Sequence, residues 1–360
     1  MKVLLTGSTG YIGRRLKQKL LNDENIELKL LVRNKKSVSS LNENTQIIEG
    51  DTFNKESLKE ALKDVEVAYY LIHSLSNENY KDLDKTSAQN FLDIAAECGV
   101  KRIIYLGGLG VKDENTSEHL LSRIETGEIL SSNKNVQTIW LRAGVIIGSG
   151  SASFEIIRNL TEKLPIMTTP KWVNTKAQPI AVTDVLSYLH KSLYLDVKEN
   201  LIVDIGSEQL SYKNMMLKTA KVLGLKRILI TLPFMSIKLS SYWLNLFTPV
   251  PYAVAKALVE GLKSEVIIQN DHAKKYFPNI FPISYEDAVA NAIKEIEENQ
   301  VISRWNDKAD DVWEKNSQNE LSKAIFIDRK EMDISNIEAS KVYQAFIGIG
   351  GENGWFDFDF

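Results

Sequence analysis

The sequence predicts an α/β chain built on a doubly wound parallel sheet. The prediction rests on two features: short apolar runs alternate with helical patterns through the first half, and a glycine-rich turn joins the first run to the first helical pattern. Strands alternating with crossover helices imply a parallel sheet covered on both faces. Right-handed crossovers then leave few topologies, of which the doubly wound one fits best.

The elements follow in order. Lys2–Leu5 is a strand and Tyr11–Asn22 a helix. Glu27–Val32 and Gln46–Glu49 are strands, Ser57–Lys63 a helix and Val65–Ile72 a strand. Asp82–Cys98 is a helix, because Phe91, Ile94 and Ala95 recur at helical spacing. Arg102–Leu106 is a strand, Glu118–Ser131 a helix and Gln137–Leu141 a strand. The second half is less regular. Phe154–Leu164 reads as a helix and Gln178–Val182 as a strand, with Thr183 and Asp184 placed to cap the helix that follows. Leu201–Ile205 is a strand, and Tyr212–Leu223 and Glu286–Asn299 are helices.

After Val301 the character changes. Residues 301–360 read as a partial C-terminal domain or an arm packed on the main body. Residues 304–319 are polar around Trp305 and Trp313, Lys323–Asp328 reads as a strand, and Lys341–Gly348 as a helix or strand. Trp355, Phe356, Phe358 and Phe360 crowd an end where most chains carry solvated tails.

Composition bounds the function. The chain has 360 residues, 44% hydrophobic and 25% charged, with a net charge of −3. That balance argues against a broad basic face, so no nucleic-acid partner is expected. The single cysteine, Cys98, rules out an intramolecular disulfide, and with no signal-peptide pattern a cytoplasmic location is expected. Leu239–Ala255 is the least charged stretch, but prolines break it, so it reads as an apolar lid or lobe helix. Tyr242 and Trp243 leave peripheral membrane contact as the alternative. No metal site is expected.

The turn after the first strand reads Gly7-Ser8-Thr9-Gly10-Tyr11-Ile12-Gly13, and it opens the first helix. This is the setting of a dinucleotide-binding fingerprint on a Rossmann-type domain. Glycine permits positive φ and close approach of a pyrophosphate, and the helix N-terminus offers free N–H groups. An NAD-selective site ends the second strand with a carboxylate that bonds the ribose hydroxyls. Here that strand ends in Arg33, which can pair with a 2′-phosphate, and Arg14 lies beside the glycines. NADP(H) is therefore preferred, with NAD(H) possible. Asp51, followed by Thr52, can accept from the adenine amino group or cap the helix near Lys55.

Further motifs carry a family resemblance. Gly50-Asp51, Leu141-Arg142, Val145-Ile146-Ile147-Gly148 and Pro179-Ile180-Ala181-Val182-Thr183-Asp184-Val185 join the glycine triplet. With them the chain resembles the extended and atypical short-chain dehydrogenases/reductases. Tyr69 to Ser74, Tyr105 to Gly110 and Gly148 to Phe154 carry a narrower likeness, to NAD(P)H-binding proteins of the YbjT and NmrA-like kind. The likeness spans roughly residues 1–300, and the tail resembles the start of a domain of unknown function often fused to such proteins. The resemblance implies a core of residues 1–150 and 178–207, with a smaller substrate lobe of 151–177 and 208–300. It also implies that Leu71, Ile72 and His73 pass close to the nicotinamide. His73 could bond a cofactor or fill a polar corner.

Active members of the family pair a Ser or Thr with a Tyr and a Lys four residues apart on one helix face. The matching helix here carries His119 in the Tyr place and Arg123 in the Lys place, and Leu106-Gly107-Gly108-Leu109-Gly110 lacks any hydroxyl. Three readings stay open. His119 could exchange a proton with substrate while Arg123 serves as a fixed cation. The chain could bind NADPH without turnover, as a redox sensor, regulator or assembly factor. His119 and Arg123 could merely brace the helix. The enzymatic reading is hydride transfer to a small carbonyl or quinone-like substrate. The pattern around Asp184 adds a nucleotide-sugar epimerase as an alternative, against which the missing Tyr counts. A cleft open beside His119 would favour an enzyme, and one filled by Tyr69, Tyr70 or Trp172 a sensor.

Overall fold

A computed structural model describes residues 1–38, 45–73, 80–114, 116–232, 261, 264–304 and 337–347. In chain order the first half runs β1 (Lys2–Thr6), α1 (Tyr11–Leu21), β2 (Glu27–Val32), β3 (Gln46–Glu49), α2 (Lys55–Leu62), β4 (Val67–Tyr70), α3 (Tyr80–Glu97), β5 (Arg102–Gly108), α4 (Glu118–Leu130) and β6 (Gln137–Ala143). The second half adds β7 (Ile146–Ile147), α5 (Ala152–Lys163), β8 (Ile166–Pro170), β9 (Lys176–Ala177), β10 (Ile180–Ala181), α6 (Val182–Lys191), β11 (Leu201–Ile205), β12 (Leu210–Ser211), α7 (Tyr212–Val222) and β13 (Ile228–Leu232). Helices Tyr285–Glu297 and Ala339–Ile347 follow.

Seven parallel strands form one sheet in the order β3-β2-β1-β4-β5-β6-β11. Strand order reverses between β1 and β4, which pair Leu5 with Tyr69. That reversal is where open α/β sheets hold ligands, beyond the carboxyl ends of the strands. Each buried strand feeds both faces. Val3 and Leu5 pack with Leu16 and Leu20 of α1 and Val185 of α6. Leu4, Ala68 and Tyr70 pack on the other face with Leu58 of α2 and Phe91 of α3. This two-sided burial is why the strands read as nearly continuous apolar runs. A third cluster, around Phe154, Ile157, Met215, Met216 and Val289, is the core of the lobe beside the sheet.

Three expectations need correction. β4 stops at Tyr70, not Ile72, because the chain leaves the sheet to cross the glycine turn: Leu71 N donates to Thr6 Oγ1 at 3.4 Å. Of the run 178–182 only Ile180–Ala181 is strand (β10), Val182 already opens α6, and a separate short strand, β9, precedes the run. Pro179 lacks the N–H a ladder needs, so β9 pairs antiparallel with β12 and β10 parallel with β7. Neither Thr183 nor Asp184 caps α6; Ala181 holds that position with no side-chain bond, and the Asp184 carboxylate accepts from Ile283 N at 3.0 Å.

The chain divides into two compact units, Met1–Asp311 and Val312–Phe360. In the second, residues 339–347 are helical. The expected strand Lys323–Asp328, the aromatic end and the stretch Leu239–Ala255 lie outside the described residues. Among the described residues no helix is long and apolar enough to cross a membrane, and no cluster of His, Cys, Asp or Glu could hold a metal.

Candidate dinucleotide site and active site

The glycine turn leaves no room for side chains. Gly7 has φ +70°, and a Cβ there would overlap the Leu71 carbonyl; a Cβ on Gly13 would overlap Gly7. Gly10 is the N-cap of α1 and supplies no side-chain bond, so the first-turn N–H groups have no such partner. Ser8 Oγ is buried with no hydrogen-bond partner. A cradle closed to Cβ atoms, a helix N-terminus and an unsatisfied hydroxyl together fit the phosphates of a dinucleotide. Behind the turn, buried Arg15 anchors α1 to the lobe, its Nη2 donating to the Ser149 carbonyl and to Glu295 Oε2, each at 3.0 Å.

The residues expected to select the cofactor are spread around this turn. Arg33 is exposed just past β2. Arg14 donates through Nε to the Thr9 carbonyl at 2.8 Å, so part of its guanidinium braces the turn. Asp51 does not cap α2. Asn54 does, accepting from Glu56 N and Ser57 N, while Asp51 Oδ1 accepts from Phe53 N at 2.7 Å. Thr52 is buried, with its hydroxyl accepting from Ser87 at 2.7 Å. It therefore props α3 against the sheet.

His73 and His119, 46 positions apart, meet. The end of β4 brings His73 and the start of α4 brings His119, with His73 Nε2 and His119 Nδ1 3.1 Å apart. His73 Nδ1 lies 2.8 Å from Asp84 Oδ2, which also accepts from Ser122 Oγ at 3.0 Å. Asp84 is 3% exposed. Burial, then the neighbouring His73 and Arg123, lower the His119 imidazole from 6.5 to about 3, against the pull of Asp84. Burial lowers His73 too, with the bond to Asp84 opposing it. Asp84 and Ser122 were missed in the sequence. One signal was there: Asp84, Ser87, Ala88 and Phe91 fall on one helical face, a carboxylate among buried residues.

His119 and Arg123 line a cavity of about 330 Å³, floored by Ile12 of the glycine turn and by Gly107 and Gly108 of β5. Its far wall is apolar, with Ile157, Leu160, Tyr212, Met216 and Val266. Tyr69 and Tyr70 do not fill it; both are in the sheet core, and Tyr69 OH donates to the Leu189 carbonyl at 2.9 Å. The Trp172 side chain lies outside the described residues. Arg123 Nη2 donates to the Leu106 carbonyl at 2.5 Å, which fixes its head beside the strand end. The missing serine has a steric cause. A Cβ on Gly107 would overlap Trp140 Nε1, and one on Gly108 would stand 2.6 Å from Leu120 Cδ1.

Comparison with known proteins agrees with this geometry. Residues 7–143 match the family model described as NAD(P)H-binding. The auxiliary protein GraX of Staphylococcus aureus (strain NCTC 8325 / PS 47) is 31% identical over 125 residues, which are 33% of this chain and 40% of GraX. The match thus spans less than half of that curated relative. Among solved structures, the triphenylmethane reductase of Citrobacter sp. superposes with a TM-score of 0.66 at 20% identity, covering 82% of this chain and 100% of its own. It has also been solved complexed with NADP(H). A nucleoside-diphosphate-sugar epimerase from Staphylococcus aureus gives 0.65 at 15% identity, covering 81% of this chain and 100% of its own. Residues 7–143 thus match a model described as NAD(P)H-binding, and the chain shares the Rossmann-type fold of these solved structures.

Proposed function

We propose that the protein is an NADP(H)-dependent oxidoreductase of the cytoplasm that moves a hydride between the cofactor and a small, apolar carbonyl or quinone-like substrate. The observation that carries this reading is the open cavity that joins the glycine turn, at Ile12, to His119 and Arg123. A bound nicotinamide would supply or take the hydride. Gly7, Ser8, Thr9, Gly10 and Gly13 would hold the pyrophosphate, with Arg33 and Arg14 toward a 2′-phosphate and Asp51 toward the adenine. Leu71, Ile72 and His73 would border the nicotinamide side. His119 would exchange the proton at the substrate oxygen, and Arg123 would add a fixed positive charge beside it. The apolar far wall offers little to a sugar diphosphate, so the epimerase reading loses support.

A second reading is a non-catalytic NADPH-binding regulator. The match to a protein named as auxiliary supports it, and so does the scarcity of protonated His119 at neutral pH. The test is NADPH oxidation across a panel of quinones and apolar carbonyls, with His119→Ala as control. Turnover that vanishes in the variant supports the enzyme; NADPH binding with no turnover on any substrate supports the regulator.

A further inference from the structure

The two histidines, the buried carboxylate and the serine form one chain of hydrogen bonds, and the chain fixes where each proton sits. Asp84 Oδ2 accepts from Ser122 Oγ at 3.0 Å. The same oxygen lies 2.8 Å from His73 Nδ1, so for an ionised Asp84 that nitrogen must carry its proton. A neutral His73 then has a lone pair at Nε2. Its partner 3.1 Å away, His119 Nδ1, must be the donor of that bond. A neutral His119 protonated at Nδ1 has a lone pair at Nε2, the nitrogen it has left for the cavity it lines.

We infer that Asp84 and His73 are positioning residues that lock His119 in the Nδ1–H tautomer, so that its Nε2 meets the substrate as a proton acceptor. This rests on the oxidoreductase reading and deepens it. The substrate form matched to the resting site is the hydroxylated one, a secondary alcohol, bound with oxidised cofactor. For an alcohol, the O–H proton passes to His119 Nε2, and the C–H bond gives its hydride, with both electrons, to the nicotinamide as the C=O bond forms. His119 becomes an imidazolium that still donates through Nδ1 to His73. Reduction runs the same path backwards from that imidazolium. Among the described residues, the charged groups facing the pair are Asp84 from α3 and Arg123 from α4, one stabilising the imidazolium and the other opposing it.

The arrangement has the logic of an aspartate that holds a histidine in the working tautomer, where aspartate-to-asparagine replacement keeps geometry but reverses the tautomer. Here that reversal would run through both rings. In Asp84→Asn the amide nitrogen, in the place of Oδ2, would donate to His73 Nδ1 while the Ser122 hydroxyl turns to accept from it, His73 Nε2–H would donate to His119 Nδ1, and His119 Nε2 would carry a proton into the cavity.

The test is nitrogen NMR of the full chain labelled in the histidine side chains, with no substrate required. There are four histidines, and single His→Gln variants assign them. The expected wild-type spectrum at neutral pH has His119 protonated at Nδ1 and bare at Nε2; a proton on Nε2 would overturn the inference. Asp84→Asn should move the His119 proton to Nε2, and a folded variant that keeps it on Nδ1 would also overturn it. If Asp84→Asn does not fold, the wild-type spectrum still decides. Because the readout is independent of turnover, failure of the oxidoreductase reading and failure of this one are distinguishable.

Discussion

His73 Nε2 lies 3.1 Å from His119 Nδ1, so the group expected in the tyrosine place is not an isolated imidazole. It is the end of a line that begins at a buried carboxylate. A tyrosine in this place needs a lysine to lower its pKa, whereas a neutral imidazole carries a lone pair without one. This explains how Arg123, which cannot take up or release a proton, can occupy the lysine place. If the proposed role holds, His119→Ala should lower turnover by about 10²- to 10⁴-fold, the range for a lost acid/base group, while NADPH affinity in a calorimetric titration stays within a few-fold. Unchanged turnover would remove His119 from the chemistry.

The same pair predicts how stability follows pH. His119 is held near 3 in the fold, and His73 is also lowered. In the unfolded chain both titrate near 6.5, so between that value and the folded ones the unfolded state binds more protons. Their contribution is full above about 6.5 and falls away as pH drops toward 3. Urea midpoints measured from pH 7 to pH 4 should decline, and His73→Gln/His119→Gln should decline less steeply. A double variant with the wild-type slope would locate the acid sensitivity elsewhere.

Arg33 stands exposed past the end of β2, where an NAD-selective site keeps a carboxylate. Charge-assisted bonds to a phosphate contribute about 1.5–3 kcal/mol. Arg33→Ala should therefore weaken NADPH by roughly 10- to 100-fold and leave NADH nearly unchanged. Parallel calorimetric titrations read this directly; equal losses for both cofactors would show that Arg33 does not read the 2′-phosphate.

The doubly wound sheet was legible because period and burial agree. Residues such as Val3, Leu4 and Leu5 are apolar on both faces, and only a covered parallel sheet requires that. The glycine turn was legible because backbone approach constrains residue type directly. What could not be read was which distant residues meet. His73 and His119 are singled out by sequence, but their contact depends on how β4 and α4 sit across the sheet. Asp84 was hidden because a carboxylate in an amphipathic helix ordinarily faces water. The ends of β4 and β10 were misjudged because propensity ran on where tertiary contacts, Leu71 over the glycine turn and Pro179 in the strand, stopped the ladder.

Gly107 and Gly108 carry the last prediction. Their lack of side chains leaves no hydroxyl where the short-chain dehydrogenases/reductases that the chain resembles carry a Ser or Thr. Adding the missing hydroxyl should not rebuild their Ser-Tyr-Lys arrangement. A Cβ at Gly107 meets the Trp140 ring, and that ring is 4% exposed, packed beneath Gly127 of α4 with Tyr105 6.1 Å away. Neither ring can retreat without opening the sheet–helix interface, and overpacking of this kind costs about 1–3 kcal/mol. Gly107→Ser should lower the denaturation midpoint and displace α4, and with it His119 and Arg123, so any turnover should fall. Paired with Trp140→Phe, which removes the indole N–H that stands in the way, the serine should cost less than it does alone. A double-mutant cycle on chemical denaturation checks this: a positive coupling is expected, and strict additivity would show that the glycine owes nothing to the tryptophan.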